Sequence, residues 1–199
     1  MRSKQQKQIR AFLIETFGSA KGHTLFAQQE KLLRDLVESE PHKPIPQRVT
    51  LAQMILPCIA LYKTLLKNTL LKNNIPQADA YEYLRHYLLD TVAAGMHAST
   101  AKVEVIPGFF WLYRAGFLAV VRIAGLWESS QRSGKDFFDI TIHKCLWHTA
   151  CAEHGCPELC RLFCDADNVT YGGLRKIGFA RTSTLGYGGS CCDFHFFKK

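Results

Sequence analysis

The sequence lacks the features that identify several classes of protein. It has no internal repeat and no low-complexity segment. The most apolar stretch, residues 103–127, is interrupted by Arg114 and Arg122, so it offers no run of about 18 uncharged apolar residues to span a bilayer. Residues 1–17 carry charge throughout, and the apolar run 11–14 is too short for the core of a secretion signal. We therefore expect a cytoplasmic protein that does not associate with membranes.

The basic charge is not concentrated anywhere along the chain. There are 25 Lys and Arg residues against 17 Asp and Glu, which gives a formal net charge of +8. Both halves of the sequence share this excess, and no basic arm or nucleic-acid-binding motif accompanies it. A solvated basic surface is the interpretation that this favours over nucleic-acid binding, although a general attraction to anions follows from the charge.

The composition is that of an ordinary globular protein. Hydrophobic residues make up 47 % of the 199 residues, and charged residues make up 21 %. A chain of this length buries roughly two thirds of its unfolded surface when it folds. The first 95 residues have apolar positions at helical spacing, for example Ile9, Phe12, Leu13 and Phe17.

The second half has a different pattern. A helix is expected through Phe117 to Trp127, followed by a turn at 131–135 and a strand at 137–144. The runs 179–185 and 191–197 are strand-like and are joined by a glycine-rich segment, which is typical of an antiparallel hairpin.

These patterns predict an α+β fold, in which a helical N-terminal half packs on a small antiparallel sheet in the C-terminal half. We expect residues 1–100 to form a helical subdomain. Residues 101–199 would form an α+β subdomain that carries the functional site, and both would belong to one compact unit. The sequence leaves the oligomeric state open, with a homo-oligomer as one option.

The distribution of cysteine is uneven, because seven of the eight cysteines lie in the last 55 residues. Without an export signal, we expect reduced thiols. Cys156, Cys160 and Cys164 are four residues apart, so on a helix they share a stripe, and Asp167 lies on the same face. Free cysteines also serve as small core hydrophobes. The closely spaced ligand pairs typical of zinc sites are absent, so we expect no metal and no cofactor.

The last strand holds a second group of reactive side chains. Alternation places Cys191, Asp193 and His195 on one face. It places Cys192 on the other face, together with Phe194 and Phe196. Residues two apart on a strand are separated by about 6.6 Å, too far for a nucleophile and its base to form a triad within the strand. We therefore expect one residue of this strand to meet the cysteine-bearing helix across a cleft.

Arg181, in the preceding strand-like run, has two interpretations. Its guanidinium would lower the pKa of a neighbouring thiol and bind a substrate carboxylate through paired hydrogen bonds. Alternatively, it forms an ion pair with Asp193 or Asp167.

Three C-terminal motifs resemble one known family. They are F-C-D-A-D at 163–167, I-G-F-A-R-T-S-T-L at 177–185 and C-D-F-H-F at 192–196. Their order and spacing resemble those of the L-2-amino-thiazoline-4-carboxylic acid hydrolase family, with the likeness carried mostly by residues 145–199.

The resemblance implies a hydrolase that acts on the carbon–nitrogen bonds of a cyclic amidine. It would open a small cyclic isothiourea carboxylate, such as 2-amino-thiazoline-4-carboxylate, to a carbamoyl-cysteine. The partner would be a small-molecule carboxylate substrate. The same resemblance makes Cys164, Asp167, Cys192 and Asp193 the catalytic candidates. Substrate binding would fall to Arg181 and His195. The alternative is a non-catalytic protein that uses the cysteine row to bind a small molecule or a metal.

Overall fold

The computed structural model describes residues 3–66, 76–123 and 125–199, and the chain divides into two compact units. One unit contains the described residues up to Tyr87, and the other begins at Leu88. In the described part of the first unit, every regular element is a helix, whereas the second unit combines helices with a sheet.

The helices of the first unit begin and end where the sequence supplies suitable residues. They are α1 (Lys4–Phe17), α2 (Ser19–Glu38), α3 (Ile45–Thr50), α4 (Leu56–Leu66) and α5 (Gln77–His86). The Ser3 side chain caps α1 by accepting a hydrogen bond from the Gln6 backbone N–H at 3.2 Å. Gly18 separates α1 from α2 with a φ of +78°, a conformation that favours glycine. At Gly22, a Cβ would lie 2.6 Å from the Ile14 Cα, so the close packing of α1 on α2 requires glycine there.

A π-helical turn at Leu51–Ile55 connects α3 to α4. The combined segment Ile45–Leu66 is long and apolar enough to cross a membrane, judged by length and composition alone. However, 61 % of its most apolar window is buried inside the protein, and core helices of soluble proteins pass the same test. The segment is therefore weak evidence for a membrane span. It lies outside the stretch 103–127, which the sequence offered as the most apolar.

The described residues of the second unit form four α-helices and four strands. After a π-helical segment at Tyr87–Ala93, the helices are α6 (Ala94–Val103), α7 (Phe109–Val121), α8 (Leu146–Glu153) and α9 (Leu159–Tyr171). The strands are β1 (Trp127–Ser133), β2 (Phe137–Cys145), β3 (Ile177–Ala180) and β4 (Cys192–Lys198). They form one sheet in the order β1-β2-β4-β3, and all neighbouring strands are antiparallel.

The two central strands bury one face each. Along β2 and β4 alternate residues point inward, and the register pairs Phe138 with Phe196 and Ile142 with Cys192. Phe109 of α7 belongs to the same apolar cluster as these residues. Cys192 therefore lies on the inward face of β4, in the interior of the unit.

The predicted fold class is confirmed. The N-terminal part is helical, and the C-terminal part holds a small four-stranded antiparallel sheet. The expected turn at 131–135 and helix through Trp127 are wrong, because α7 ends at Val121 and β1 occupies Trp127–Ser133. This strand is polar and lies at the sheet edge, so it lacks the apolar alternation by which half-buried strands are recognised. Its pairing with β2 includes an ion pair between Glu128 and Lys144 at 2.8 Å.

Candidate functional site

Helix α9 presents a row of reactive side chains along one face. The spacing of Cys160, Cys164, Asp167 and Tyr171 alternates between four and three residues, so all four follow the same stripe of the helix. Cys160 and Cys164 are buried, whereas Asp167 and Tyr171 are partly accessible. The shared face predicted for Cys160, Cys164 and Asp167 is thus present in the structure.

The loop between β3 and β4 lies directly on this stripe. Thr184 caps the short 3₁₀ helix Leu185–Tyr187 by accepting a hydrogen bond from the Tyr187 N–H at 3.2 Å. A Cβ on Gly186 would lie 2.9 Å from the Cys164 Sγ and 3.1 Å from the carbonyl oxygen of Cys160. Only a residue without a side chain allows the loop to approach α9 this closely.

Hydrogen-bond donors surround the sulfur of Cys164. The thiols of Cys160 and Cys192, the Thr184 hydroxyl and the Gly186 backbone N–H all lie close enough to the sulfur to act on its pKa through hydrogen bonding. These donors, of which Cys160 has the largest effect, lower the pKa of the Cys164 thiol far below its ordinary value. Burial acts in the opposite direction but is outweighed. Because the thiols of Cys160 and Cys192 act as donors, the pKa of each of these two thiols is raised. Among the three sulfurs, Cys164 is the one whose surroundings favour the thiolate form.

The Cys192 sulfur has a backbone donor of its own, because the Leu185 N–H lies 3.3 Å from its Sγ. Two successive backbone N–H groups of the 3₁₀ helix thus act on two different sulfurs. The Leu185 N–H acts on Cys192, and the Gly186 N–H acts on Cys164. We call these residues, Cys160, Cys164, Cys192, Thr184 and Gly186, the thiolate nest.

An acid and a guanidinium lie beside the thiolate nest. The Arg181 Nη1 donates to the Asp167 Oδ2 at 3.1 Å, and the Arg181 side chain is only 6 % exposed. Burial raises the pKa of the Asp167 carboxyl to about 8, and the negative charge of Cys164 adds to this effect, while Arg181 opposes it. Asp167 nevertheless keeps 29 % of its side-chain surface accessible. A pKa of about 8 favours the protonated carboxyl at pH 7, and part of its surface is open to solvent.

Asp193 and His195 lie on the opposite face of β4 from Cys192. The Asp193 carboxylate accepts hydrogen bonds from the backbone N–H groups of Thr182, at 3.0 Å, and of Ser183, at 2.5 Å. Burial acts to raise the pKa of Asp193, but these bonds and one from the Thr182 hydroxyl outweigh it and lower the pKa. Asp193 therefore fixes the start of the loop that carries Thr184.

His195 is 48 % exposed and lies apart from the thiolate nest. Its Nδ1 is 2.6 Å from the Asp139 Oδ1, and Arg132 contacts the other oxygen of the same carboxylate. The structure thus brings Cys164, Asp167, Arg181 and Cys192 together on the inward side of the sheet. It does not bring Asp193 or His195 to them.

The remaining cysteines do not form a metal centre in the described part of the chain. Among residues 3–66, 76–123 and 125–199, no group of three or more His, Cys, Asp or Glu side chains is arranged to hold a metal ion. All eight cysteines are free thiols. Burial raises the pKa of Cys145 to about 11, with the Cys164 charge contributing.

Sequence reasoning missed two kinds of residue at this site. Thr184 and Gly186 act through a hydroxyl and a backbone N–H, which no spacing rule identifies, although Thr184 falls inside the quoted R-T-S-T-L motif. Tyr113 was also missed, and so was Tyr171. Its position four residues after Asp167 was the available signal.

The fold and the site together define a class: an α+β protein in which buried cysteines, a carboxyl and a buried guanidinium form one cluster. The family model described as L-2-amino-thiazoline-4-carboxylic acid hydrolase matches residues 47–196. That range covers most of the chain and contains every residue of the cluster. The chain belongs to this hydrolase family.

Other comparisons add little. No curated protein matches the chain. Among solved structures, the Fe(II) unliganded H-NOX protein from K. algicida aligns over 100 % of this chain and 97 % of that chain, at 11 % identity and a TM-score of 0.28. A likeness this weak supports no conclusion about fold or function.

Proposed function

We propose that the protein hydrolyses a small cyclic amidine or isothiourea that carries a carboxylate, such as 2-amino-thiazoline-4-carboxylate, to a carbamoyl-cysteine. Membership of the hydrolase family supports this class of reaction. The observation that carries the proposal is the convergence of the Cys164 thiolate with a protonated Asp167 and with Arg181.

Cys164 is the nucleophile in this proposal. A thiolate attacks an electron-poor carbon, and the thiol form does not. The four donors of the thiolate nest keep Cys164 ionised at neutral pH, so no separate base is needed to remove its proton. The target is the ring carbon that is bonded to two nitrogens and the sulfur.

Asp167 is the general acid. When the Cys164 sulfur bonds to the ring carbon, one ring bond of that carbon breaks, and the departing nitrogen or sulfur takes the proton of Asp167. Water then adds to the same carbon, and one of its protons goes to the doubly bonded nitrogen on that carbon. The bond to Cys164 breaks, which releases the thiolate, and the other proton of the water returns to Asp167. The overall change is the addition of one water, with Cys164 and Asp167 restored.

Arg181 binds the substrate carboxylate. One of its N–H groups is occupied by Asp167, but the guanidinium has five in a rigid fork, so others remain for a ligand. The substrate carboxylate would then contact Arg181, while the ring carbon would lie beside Cys164.

The test is an incubation of the purified chain with 2-amino-thiazoline-4-carboxylate, followed by mass spectrometry of the products. The expected result is a product heavier by one water, and Cys164→Ala should reduce the rate at least about 10³-fold. Cys191→Ala is the matched control, because Cys191 precedes β4, lies outside the thiolate nest and uses only its backbone carbonyl to bind Ser183. A Cys164→Ala chain as active as the Cys191→Ala chain would contradict the proposal.

A further inference from the structure

Tyr171 extends the reactive face of α9 beyond Asp167. It is the last residue of the helix and lies four positions after Asp167, so the two side chains are neighbours on the same stripe. Its ring packs edge-on against Phe179 at 5.2 Å and Phe196 at 5.3 Å between centroids. These contacts restrict the orientation of the Tyr171 ring and therefore the position of its hydroxyl.

Tyr113 of α7 reaches the same place from another element. Its ring centroid lies 5.8 Å from Phe117 and 6.1 Å from Phe196. Tyr171 contacts the same two rings, with its centroid 5.7 Å from Phe117. The two tyrosines therefore pack against the same pair of phenylalanine rings.

Neither hydroxyl is used by the fold. Among the described residues, neither Tyr113 nor Tyr171 has a hydrogen-bond partner for its phenol oxygen. Neither phenol oxygen is among the fully buried polar atoms that lack a partner, so both oxygens are open to a ligand. Both rings are half buried. Phenylalanine would fill the same space without the cost of desolvating a hydroxyl, as it does at Phe117, Phe179 and Phe196.

The surroundings show what the hydroxyls face. Burial raises the pKa of both phenols, and an ionised Asp167 raises both further. The helical spacing places Tyr171 one turn from that carboxyl, to which Arg181 donates at 3.1 Å. The positive charge of Arg181 acts on Tyr171 as well. Both phenols are thus neutral O–H donors at physiological pH. Tyr171 lies near the guanidinium that the proposed function assigns to a carboxylate, and Tyr113 shares the aromatic neighbours of Tyr171.

We infer that Tyr171 and Tyr113 are substrate-binding residues that complete, with Arg181, a subsite for the carboxylate of the ligand. This inference rests on the proposed function. A guanidinium binds a carboxylate through two parallel N–H bonds, which fill two of its about four acceptor positions, and two phenol donors supply the remainder. The subsite would therefore select small ring compounds that bear a carboxylate over otherwise identical compounds that lack one.

The test is calorimetric binding to the full chain carrying Cys164→Ala, which removes the proposed nucleophile and prevents turnover. The two probes are 2-amino-thiazoline-4-carboxylate and 2-amino-thiazoline, which lacks the carboxylate. In this background, Tyr171→Phe and Tyr113→Phe should each weaken binding of the first probe by about tenfold or more, the typical cost of a lost hydrogen bond to a charged group. Binding of the second probe should be unchanged.

Tyr83→Phe is the matched control, because Tyr83 lies in the helical unit, where its ring packs on Phe17 at 4.9 Å. It should leave both affinities unchanged. Equal losses on both probes, or no loss on the first, would overturn the assignment of the tyrosines while leaving the proposed function intact. Failure of the Cys164→Ala chain to bind the first probe, before any tyrosine is replaced, would contradict the proposed function and this inference with it.

Discussion

Two buried cysteines, one in each unit, differ in the direction in which the protein moves their pKa. Cys58, in the helical unit, is fully buried and receives one side-chain hydrogen bond, from Gln5 at 3.3 Å. Burial dominates there and raises the pKa of Cys58 to about 12. Cys164 is 8 % exposed, but four donors converge on its sulfur and lower its pKa.

The difference shows that burial by itself does not make a reactive thiol. A low-dielectric environment disfavours the thiolate, and only a set of donors fixed in advance reverses that preference. At Cys58 the helices supply one donor. At Cys164 the loop after β3 supplies two, and neighbouring thiols supply two more.

We expect the largest loss of turnover when the loop between β3 and β4 can no longer lie close to α9. Gly186→Ala places a Cβ 2.9 Å from the Cys164 Sγ and 3.1 Å from the Cys160 carbonyl, so the loop must move and the donors of Thr184 and Gly186 move with it. Cys164 would then resemble Cys58. We expect turnover to fall by about 100-fold or more, as is usual when donors fixed around a reacting group are lost.

Gly116→Ala is the control for this substitution. Gly116 lies on α7 with open space around its Cβ position, and alanine there should leave turnover unchanged and stabilise the helix by up to about 1 kcal/mol. Equal activity of the two glycine variants would show that the thiolate nest does not depend on the loop.

Asp167→Asn should remove the alkaline limb of the pH profile. If Asp167 is the acid, kcat/KM of the unsubstituted protein falls as the pH rises through about 8, because the carboxyl then loses the proton it must donate. The asparagine variant should be about 10²-fold slower and should show no decline near pH 8. A decline that persists in the variant would assign it to another group.

The same substitution has a stability signature. The pKa of Asp167 is raised from 3.8 in the reference state to about 8 in the fold, so the folded state holds a proton that the unfolded chain has lost between those values. Its contribution to stability is therefore fully present below pH 4 and declines as the pH rises to about 8, by at most about 1.4 kcal/mol per unit. Urea unfolding of Asp167→Asn between pH 5 and 8 should lack this slope.

Asp193→Asn should have a smaller effect that acts through the loop. The carboxylate accepts from Thr182 and Ser183, and replacing it with an amide costs about 2 kcal/mol of stability through weaker backbone hydrogen bonds. We expect about a tenfold loss of turnover, since Thr184 is no longer held as firmly. A fully active variant, tested well below its unfolding temperature, would show that this tether does not matter.

His195→Ala should have the smallest effect. His195 pairs with Asp139 on the solvent-facing side of the sheet, where exposed ion pairs contribute about 0–1 kcal/mol. Turnover should stay within about threefold of the unsubstituted protein, as measured in the same product assay. A loss as large as that of Asp167→Asn would place His195 in the reaction after all.

The parts of the fold that follow from local periodicity were predictable. Alternation in β4 correctly separated Cys192 from Asp193, and helical spacing placed Cys164 and Asp167 on one face. Strand β1 was not predictable in the same way, because its polar residues are held by pairing with β2 rather than by their own pattern.

The chemistry of the site was harder to infer. The sequence left two roles open for Arg181, and one of them, an ion pair with Asp167, is present. The groups that act on the pKa of Cys164 are hydroxyl, thiol and backbone donors rather than Arg181. Which donors converge depends on the path of the loop between β3 and β4. That path is set by contacts between residues distant in sequence, such as Gly186 with Cys160 and Cys164.

The most direct measurement is the rate at which iodoacetamide alkylates each cysteine of the native protein as the pH is varied, with sites assigned by peptide mass spectrometry. The account predicts that Cys164 reacts at a rate that is almost independent of pH between 6 and 8, and that Gly186→Ala makes this rate rise with pH. Cys58 should stay unmodified until the protein unfolds. A Cys164 rate that climbs tenfold per pH unit in the unsubstituted chain, as for an ordinary thiol, would contradict the existence of a stabilised thiolate.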